Sequence, residues 1–160
     1  MKEGAVYEGE ERVITFRAAT FQLIMERVAS MAGSRVARTI FYQIGNAIGR
    51  RAFEYSREEV APDTLENVID GVLSLRGWGR VASFKRTESS NEVDFECSFR
   101  DCIICHQRTA REPVCDVMRG LFAGWLESFL GKKARSSVES ECRAMGKSAC
   151  VFEIAFTKRD

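Results

Sequence analysis

The chain has 160 residues, the length of one ordinary domain, and we treat residues 1–160 as a single domain. Its composition, with 45% hydrophobic and 29% charged residues and only two prolines, is typical of a globular protein and excludes a disordered or fibrous one. Lys and Arg number 24 against 23 Asp and Glu, so the net charge of +1 gives no overall field for binding nucleic acid or anionic lipid. By itself the chain is not expected to bind nucleic acid.

The N-terminal sequence MKEGAVYEGEE has acidic residues where an export signal has a basic segment followed by an apolar run. No window has the ~18 uninterrupted apolar residues of a membrane-spanning helix. These two features predict a cytoplasmic protein without a membrane span. Six cysteines in that compartment are expected to stay reduced, so they are interpreted as metal ligands, redox switches or buried apolar side chains.

The first half of the chain is predicted to be mostly helical. Alternating side chains predict one strand over Arg12–Arg17. Apolar residues at helical spacing then predict three helices, over residues 18–31 with Gly33 at the end, from Ser34 to about Tyr55, and from Pro62 and Asp63 to Gly77.

Two of the predicted helices contain paired glycines at a spacing of four. Gly45 and Gly49 lie in the second helix, and Gly120 and Gly124 lie in a later one. Glycine costs up to ~1 kcal/mol in a helix interior. The pairs therefore predict a close backbone approach by a neighbouring helix or a ligand.

In the second half of the chain, apolar residues alternate with polar ones, the pattern typical of strands. The predicted elements are a hairpin of Trp78–Thr87 and Glu92–Phe99, a loop over Arg100–Glu112, a long amphipathic helix from Pro113 to Gly131, and a second hairpin of Ala134–Cys142 and Cys150–Thr157. Helices followed by hairpins predict an α+β fold, with helices packed on one antiparallel sheet of about four strands.

The cysteines near the C-terminus form a candidate metal site. Cys142 and Cys150 flank the last turn, and Cys115 lies at the start of the long helix, where the helix dipole favours a thiolate. Glu139 or Glu141 could add an oxygen, giving a donor set that zinc accepts. Residues three apart on a flat strand face opposite sides, so Glu139 can join Cys142 only if the strand bulges. The alternative is three buried cysteines without a metal.

Four segments of the sequence resemble the end of the 4-vinyl reductase domain family. They are GLFAGW at Gly120–Trp125, ESEC at Glu139–Cys142, Gly146, and CVFEI at Cys150–Ile154. A weaker resemblance covers the rest of the chain. Membership of this family implies the NO-signalling/Golgi-transport ligand-binding-like fold, which is shared by the sensing domains of phenol-responsive bacterial activators and by small TRAPP subunits. Such domains have a helical layer on an antiparallel sheet and are commonly homodimers.

The resemblance also implies a zinc ligand set. In the zinc-bearing phenol sensors, the ligands are a Cys early in the long helix, then Glu-x-x-Cys, then a Cys eight residues on. The matching positions here are Cys115, Glu139, Cys142 and Cys150. We therefore expect one zinc ion per chain at these residues. The resemblance favours Glu139 over Glu141 as the oxygen ligand.

A second group of candidate residues lies in the loop after the first hairpin. Cys102, Cys105 and His106 match the CxxCH pattern of c-type haem attachment, but that modification requires export. Three interpretations remain open: a second metal site completed by a residue such as Cys97, a reversible redox dithiol, or cysteines that only pack. The family resemblance implies a redox pair at Cys102 and Cys105 as one option, because some methanogen regulators with this domain sense redox through cysteines.

Aromatic residues recur through the predicted helices and strands. They either form the core or line an apolar cavity for a flat or hydrocarbon ligand. The resemblance supports a cavity, because relatives hold phenols, tetrapyrrole-related compounds or acyl chains between these layers. The candidate pocket residues are Phe41, Phe95, Phe99, Phe122 and Trp125.

The sequence thus favours a stand-alone, cytoplasmic, zinc-stabilised sensor or scaffold domain that binds a small hydrophobic molecule as a homodimer. It has no evident helix-turn-helix or ATPase motif. One alternative is a cysteine redox sensor. Another, implied only by the family name, is an enzyme or enzyme subunit in tetrapyrrole vinyl reduction. Enzymatic activity is left open and is the less favoured choice, since no G-x-G-x-x-G follows a strand.

Overall fold

The structure is a computed structural model that describes residues 6–8, 10–61 and 63–158. The helices are Ala18–Ala32 (α1), Ser34–Ser56 (α2), Leu65–Ser74 (α3) and Asp116–Leu130 (α4). The strands are Val6–Glu8 (β1), Glu11–Val13 (β2), Arg80–Glu88 (β3), Glu92–Arg100 (β4), Ser136–Glu141 (β5) and Cys150–Thr157 (β6). Short 3₁₀ turns lie at Ile103–Cys105 and Arg143–Met145.

The two predicted hairpins join into one antiparallel sheet with the order β3-β4-β6-β5. β4 and β6 pair with Phe95 opposite Ile154 and Phe99 opposite Cys150. Alternate residues of β4 are buried, as expected for a strand with one face on the core. Helices on a four-stranded antiparallel sheet confirm the predicted α+β fold.

The predicted strand over Arg12–Arg17 is wrong over most of its length. Only Glu11–Val13 pairs, with Val6–Glu8, and the chain is irregular from residue 14 until α1 begins at Ala18. Ile14 and Phe16 are 72% and 50% exposed, so their alternation does not reflect a buried sheet face.

Several predicted boundaries move by a few residues. α3 begins at Leu65 instead of at Pro62, which lies outside the described residues. α4 begins at Asp116, so Cys115 caps the helix instead of lying within its first turn. β5 begins at Ser136, two residues after the predicted start.

The centre of the fold is a direct backbone contact between α2 and α4. A Cβ added to any of the four paired glycines would lie 2.0 or 2.1 Å from a carbonyl oxygen of the other helix, and these glycines are Gly45, Gly49, Gly120 and Gly124. No real Cβ tolerates so short a distance, so only glycine allows this approach. The close approach predicted from the glycine spacing is thereby confirmed.

A buried carboxylate reinforces the same helix pair. Glu127 of α4 accepts hydrogen bonds from the side chains of Asn46 and Arg50 of α2 and from the backbone N–H of Ala134. Burial favours the neutral acid, but these donors and Lys133 outweigh it and hold the pKa of Glu127 below its usual value. Glu127 thus ties α4 to α2 and to the segment that leads into β5.

In the part of the chain that the structure describes, no helix combines the length and apolar character needed to cross a membrane.

Replacing Gly120 with alanine is expected to destabilise the protein by about 1–3 kcal/mol or more, because the new methyl group would meet the backbone of α2. Gly71 is the matched control: it lies within α3, and a methyl group added there would meet nothing within 4 Å. Gly71→Ala is expected to be neutral or to stabilise by up to ~1 kcal/mol. Urea unfolding measures both, and equal free energies of unfolding for the two variants would contradict the close contact.

Candidate functional site

Six potential metal ligands meet at one corner of the molecule. All are buried, and their donor atoms fall into two overlapping sets of four, within each of which every pair lies within 4.8 Å. The six residues are Cys102, Cys105, Cys115, Glu139, Cys142 and Cys150. Five of the six cysteines of the chain are therefore in one cluster.

The topology of the sheet brings these residues together from four segments. The pairing of Phe99 with Cys150 places the chain that leaves β4, including Cys102 and the turn Ile103–Cys105, beside the start of β6. Cys115 caps α4 at the same corner. Its carbonyl oxygen accepts the N–H of Arg119, so the first turn of the helix fixes its position.

A bulge in β5 places Glu139 on the same side as Cys142. Glu139 lies opposite Phe152, whereas Glu141 lies opposite the adjacent Val151, so β5 has one extra residue at this point. Glu139 is buried, and Glu141 is half-buried with one oxygen 3.7 Å from Lys147. The strand thus has the irregularity that Glu139 needs in order to face the cysteines.

The first set contains the four residues predicted to hold zinc. Sγ of Cys115 lies 3.8 Å from Sγ of Cys142 and 3.8 Å from Sγ of Cys150. Two thiolates bound tetrahedrally to one zinc ion at about 2.3 Å are separated by about 3.8 Å. The sulfurs therefore already have the spacing of a zinc site, although zinc binding itself stays a prediction.

Glu139 has the environment of a metal ligand. Oε2 accepts the backbone N–H of Cys115 at 2.8 Å, while Oε1 is buried and has no hydrogen-bond partner among the described residues. Burial, reinforced by the charge on Cys142, raises the pKa of the Glu139 carboxyl to about 8. A buried oxygen without a partner is costly, and a bound cation would satisfy it. The donor set of three thiols and this carboxylate fits zinc.

The second set was not predicted. It consists of Cys102 and Cys105 together with Cys115 and Cys150 of the first set. Cys102 Sγ lies 3.6 Å from Cys115 Sγ, and Cys105 Sγ lies 3.5 Å from Cys150 Sγ. The two cysteines considered for a redox pair thus adjoin the predicted zinc ligands, and the sequence shows this only if β4 is first paired with β6.

Two other candidates in this region lie outside the cluster. Cys97, considered as a ligand for Cys102 and Cys105, is in neither set of four. It is buried in β4, and burial raises the pKa of its thiol well above the usual value. His106 is exposed, and its backbone carbonyl accepts a hydrogen bond from Gln22.

A cavity of about 600 Å³ lies between α2 and α3. Its apolar lining comes from both helices, from α4, and from the segments around Val13 and Trp78: Val13, Ala47, Ile48, Ala52, Val72, Leu73, Trp78 and Leu121. Arg51, Tyr55, Ser56, Glu59 and Arg76 add polar groups.

The predicted pocket residues do not line this cavity. Phe41, Phe95, Phe99, Phe122 and Trp125 are all buried in the core. Phe99 packs edge-on against Phe122 with ring centroids 5.5 Å apart, and Trp125 packs likewise on Phe53. These rings fill the space between sheet and helices, and other residues line this cavity. Their assignment to a ligand pocket stays a prediction.

Comparison with known proteins gives a consistent family relation. A family model for the 4-vinyl reductase domain, described as the V-4-R domain, matches residues 95–156. The transcriptional regulatory protein XylR of Pseudomonas putida is 22% identical over 161 residues, which cover 94% of this chain. This chain spans 28% of the length of XylR.

Two solved structures share the fold. The phenol-responsive sensory domain of the transcription activator PoxR, crystallised with phenol, gives a TM-score of 0.80 at 22% identity over 97% of this chain and 82% of that one. A vinyl-4-reductase family protein from Methanocaldococcus jannaschii gives a TM-score of 0.60 at 20% identity. The match covers 89% of this chain and 82% of that one. These likenesses extend the shared fold over nearly the whole chain.

Glu139→Gln is expected to weaken zinc binding by roughly tenfold or more, because the neutral amide is a poorer ligand than a carboxylate. Glu141→Gln is the matched control two residues away, since Glu141 is half-buried beside Lys147. Its zinc affinity is expected to equal that of the unmodified protein. Competition with a chromophoric chelator measures both affinities, and a Glu139→Gln variant with unchanged affinity would remove Glu139 from the ligand set.

Proposed function

Because the 4-vinyl reductase domain model matches residues 95–156, we propose that the protein is a cytoplasmic ligand-sensing domain that binds a small hydrophobic molecule, holds zinc and forms a homodimer. The observation that carries this proposal is an apolar cavity in a fold that matches a phenol-responsive sensory domain over 97% of the chain.

The cavity has the size and lining of a small-molecule site. Its volume of about 600 Å³ lies within the usual range for ligand pockets. Ile48, Leu73 and Trp78 provide apolar surface, while Arg51, Arg76 and Glu59 add charges of both signs. This combination suits a ligand with a flat or hydrocarbon body and one polar group.

Helix α4 connects the cavity to the cysteine cluster. Leu121 lines the cavity, and Cys115 caps the same helix six residues earlier, about 9 Å along its axis. Zinc at Cys115, Glu139, Cys142 and Cys150 would join the start of α4 to the last hairpin and so contribute folding free energy. One wall of the cavity would then have its position fixed by the metal.

An exposed apolar stripe on α2 supports the homodimer. Its residues recur every four positions on one helix face, and they are Val36, Ile40, Ile44 and Ile48. We define this set as the α2 stripe. A two-fold axis beside α2 would pack the stripe of one copy on the stripe of the other, which buries the same apolar patch of both subunits.

The two alternatives from the sequence have less support. Cys102 and Cys105 are 0% and 5% exposed, whereas redox-sensing thiols are typically accessible. The vinyl-4-reductase family structure matches with a TM-score of 0.60, against 0.80 for the sensory domain. The geometry therefore favours ligand sensing.

Ala47→Phe is expected to lower the affinity of a cavity ligand by roughly tenfold or more, equivalent to about 1.4 kcal/mol, because the added ring occupies the cavity. Phenol, toluene and octanoate serve as probes, and isothermal titration calorimetry measures their binding. Ala19→Phe, on the exposed face of α1, is the matched control and should bind like the unmodified protein. A lack of saturable binding with all three probes, or binding that Ala47→Phe leaves intact, would contradict the proposed site.

Ile44→Glu is expected to convert the dimer to a monomer, because it places charges at the centre of the α2 stripe. Leu75→Glu is the control, since Leu75 is an exposed leucine outside the stripe and should leave the dimer intact. Sedimentation velocity at several protein concentrations distinguishes the two states. Monomeric unmodified protein would disprove the dimer.

A further inference from the structure

We propose that the cysteine cluster holds two zinc ions, bridged by the thiolates of Cys115 and Cys150. One ion is held by Cys115, Glu139, Cys142 and Cys150, as in the proposed function on which this inference rests. The other is held by Cys102 and Cys105 together with the same two bridging thiolates. The loop after β4 is then part of the metal centre.

The geometry of the sulfurs supports this arrangement. Two tetrahedra that share an edge need six ligands, two of them common, and the two sets of four share Cys115 and Cys150 and no other residue. The shared edge, from Cys115 Sγ to Cys150 Sγ, is 3.8 Å long. This length equals the separation of about 3.8 Å expected for two sulfurs on one zinc ion.

The distances from the bridging to the terminal sulfurs agree with the same pattern. In the second set, Cys102 lies 3.6 Å from Cys115 and Cys105 lies 3.5 Å from Cys150. In the first set, Cys142 lies 3.8 Å from Cys115. Each of the two bridging residues therefore contacts a terminal ligand of the second set at the spacing of a tetrahedral edge.

Charge balance permits a second cation. Five thiolates and one carboxylate carry six negative charges, and two zinc ions reduce the total to minus two, which equals the total for one zinc ion with three thiolates, the Glu139 carboxylate and two neutral thiols. The nearby cationic side chains point to other acids: Arg143 binds Asp101, and Lys147 binds Glu141. With one zinc ion, Cys102 and Cys105 would remain buried thiols whose weak hydrogen bonds satisfy them poorly.

The first test is the metal content of protein purified without chelator, measured by native mass spectrometry and elemental analysis. The unmodified chain should carry two zinc ions. Cys97→Ala is the matched control, since Cys97 is a buried cysteine outside both sets, and it should also carry two.

Single substitutions distinguish the bridging from the terminal ligands. Cys102→Ser and Cys105→Ser should each retain one zinc ion, in the set with Glu139, and Cys142→Ser should retain one in the all-cysteine set. Cys115→Ser and Cys150→Ser should each retain less than one. A content of one zinc ion in the unmodified chain, unchanged by Cys102→Ser, would overturn the inference but leave the proposed zinc site standing, whereas no zinc at all would overturn both.

Cobalt provides a second test that does not depend on the behaviour of variants. Titration of the metal-free protein with Co²⁺ should produce a paramagnetic resonance signal that rises to one equivalent and falls toward two, because bridging thiolates couple the two spins. A signal that rises up to two equivalents would show separate ions without a bridge. A mass lower by two hydrogens would reveal a disulfide between neighbouring thiols, which would also overturn the inference.

Discussion

The backbone contact between α2 and α4 determines where every other part of the site lies. Four glycines allow carbonyl oxygens of each helix to approach the other helix more closely than any side chain would permit. With α4 held in this way, its capping residue Cys115 reaches the corner of the sheet, and its residue Leu121 reaches the cavity. Another face of α2 is left with exposed isoleucines.

The sheet contributes the other half of the cluster through one irregularity. In a regular strand, Glu139 and Cys142 would face opposite sides. The extra residue in β5 turns Glu139 toward the sulfurs, where one of its oxygens binds the N–H of Cys115 and the other has no partner among the described residues. A bulge at this point is thus a feature of the site.

Local patterns were sufficient to predict much of the fold. The hairpins, the long helix and the helix contact at the glycines all follow from side-chain periodicity and from glycine spacing, which act over a few residues. Cys115, Glu139, Cys142 and Cys150 lie on elements that the sequence also identified, and the structure brings them together. The strand at Arg12–Arg17 was wrong because alternation there is not matched by a covering layer.

The parts that were missed depend on contacts between distant segments. Cys102 and Cys105 join the cluster because Phe99 pairs with Cys150, which no local pattern reveals. The assignment of Phe99 and Phe122 to a pocket stays a prediction, since both rings are buried in the core and composition does not distinguish a packed ring from a cavity wall. The cavity itself is lined largely by small and aliphatic residues such as Ala47 and Ala52, which give no signal in the sequence.

Ile48 belongs both to the cavity lining and to the α2 stripe. A molecule in the cavity and a second copy on the stripe would therefore contact the same side chain. By thermodynamic linkage, the factor by which the ligand changes the dimerisation constant equals the factor by which dimerisation changes the affinity for the ligand. In the proposed dimer, Ile48 is therefore the side chain through which ligand occupancy and subunit association would be coupled, without any catalytic step.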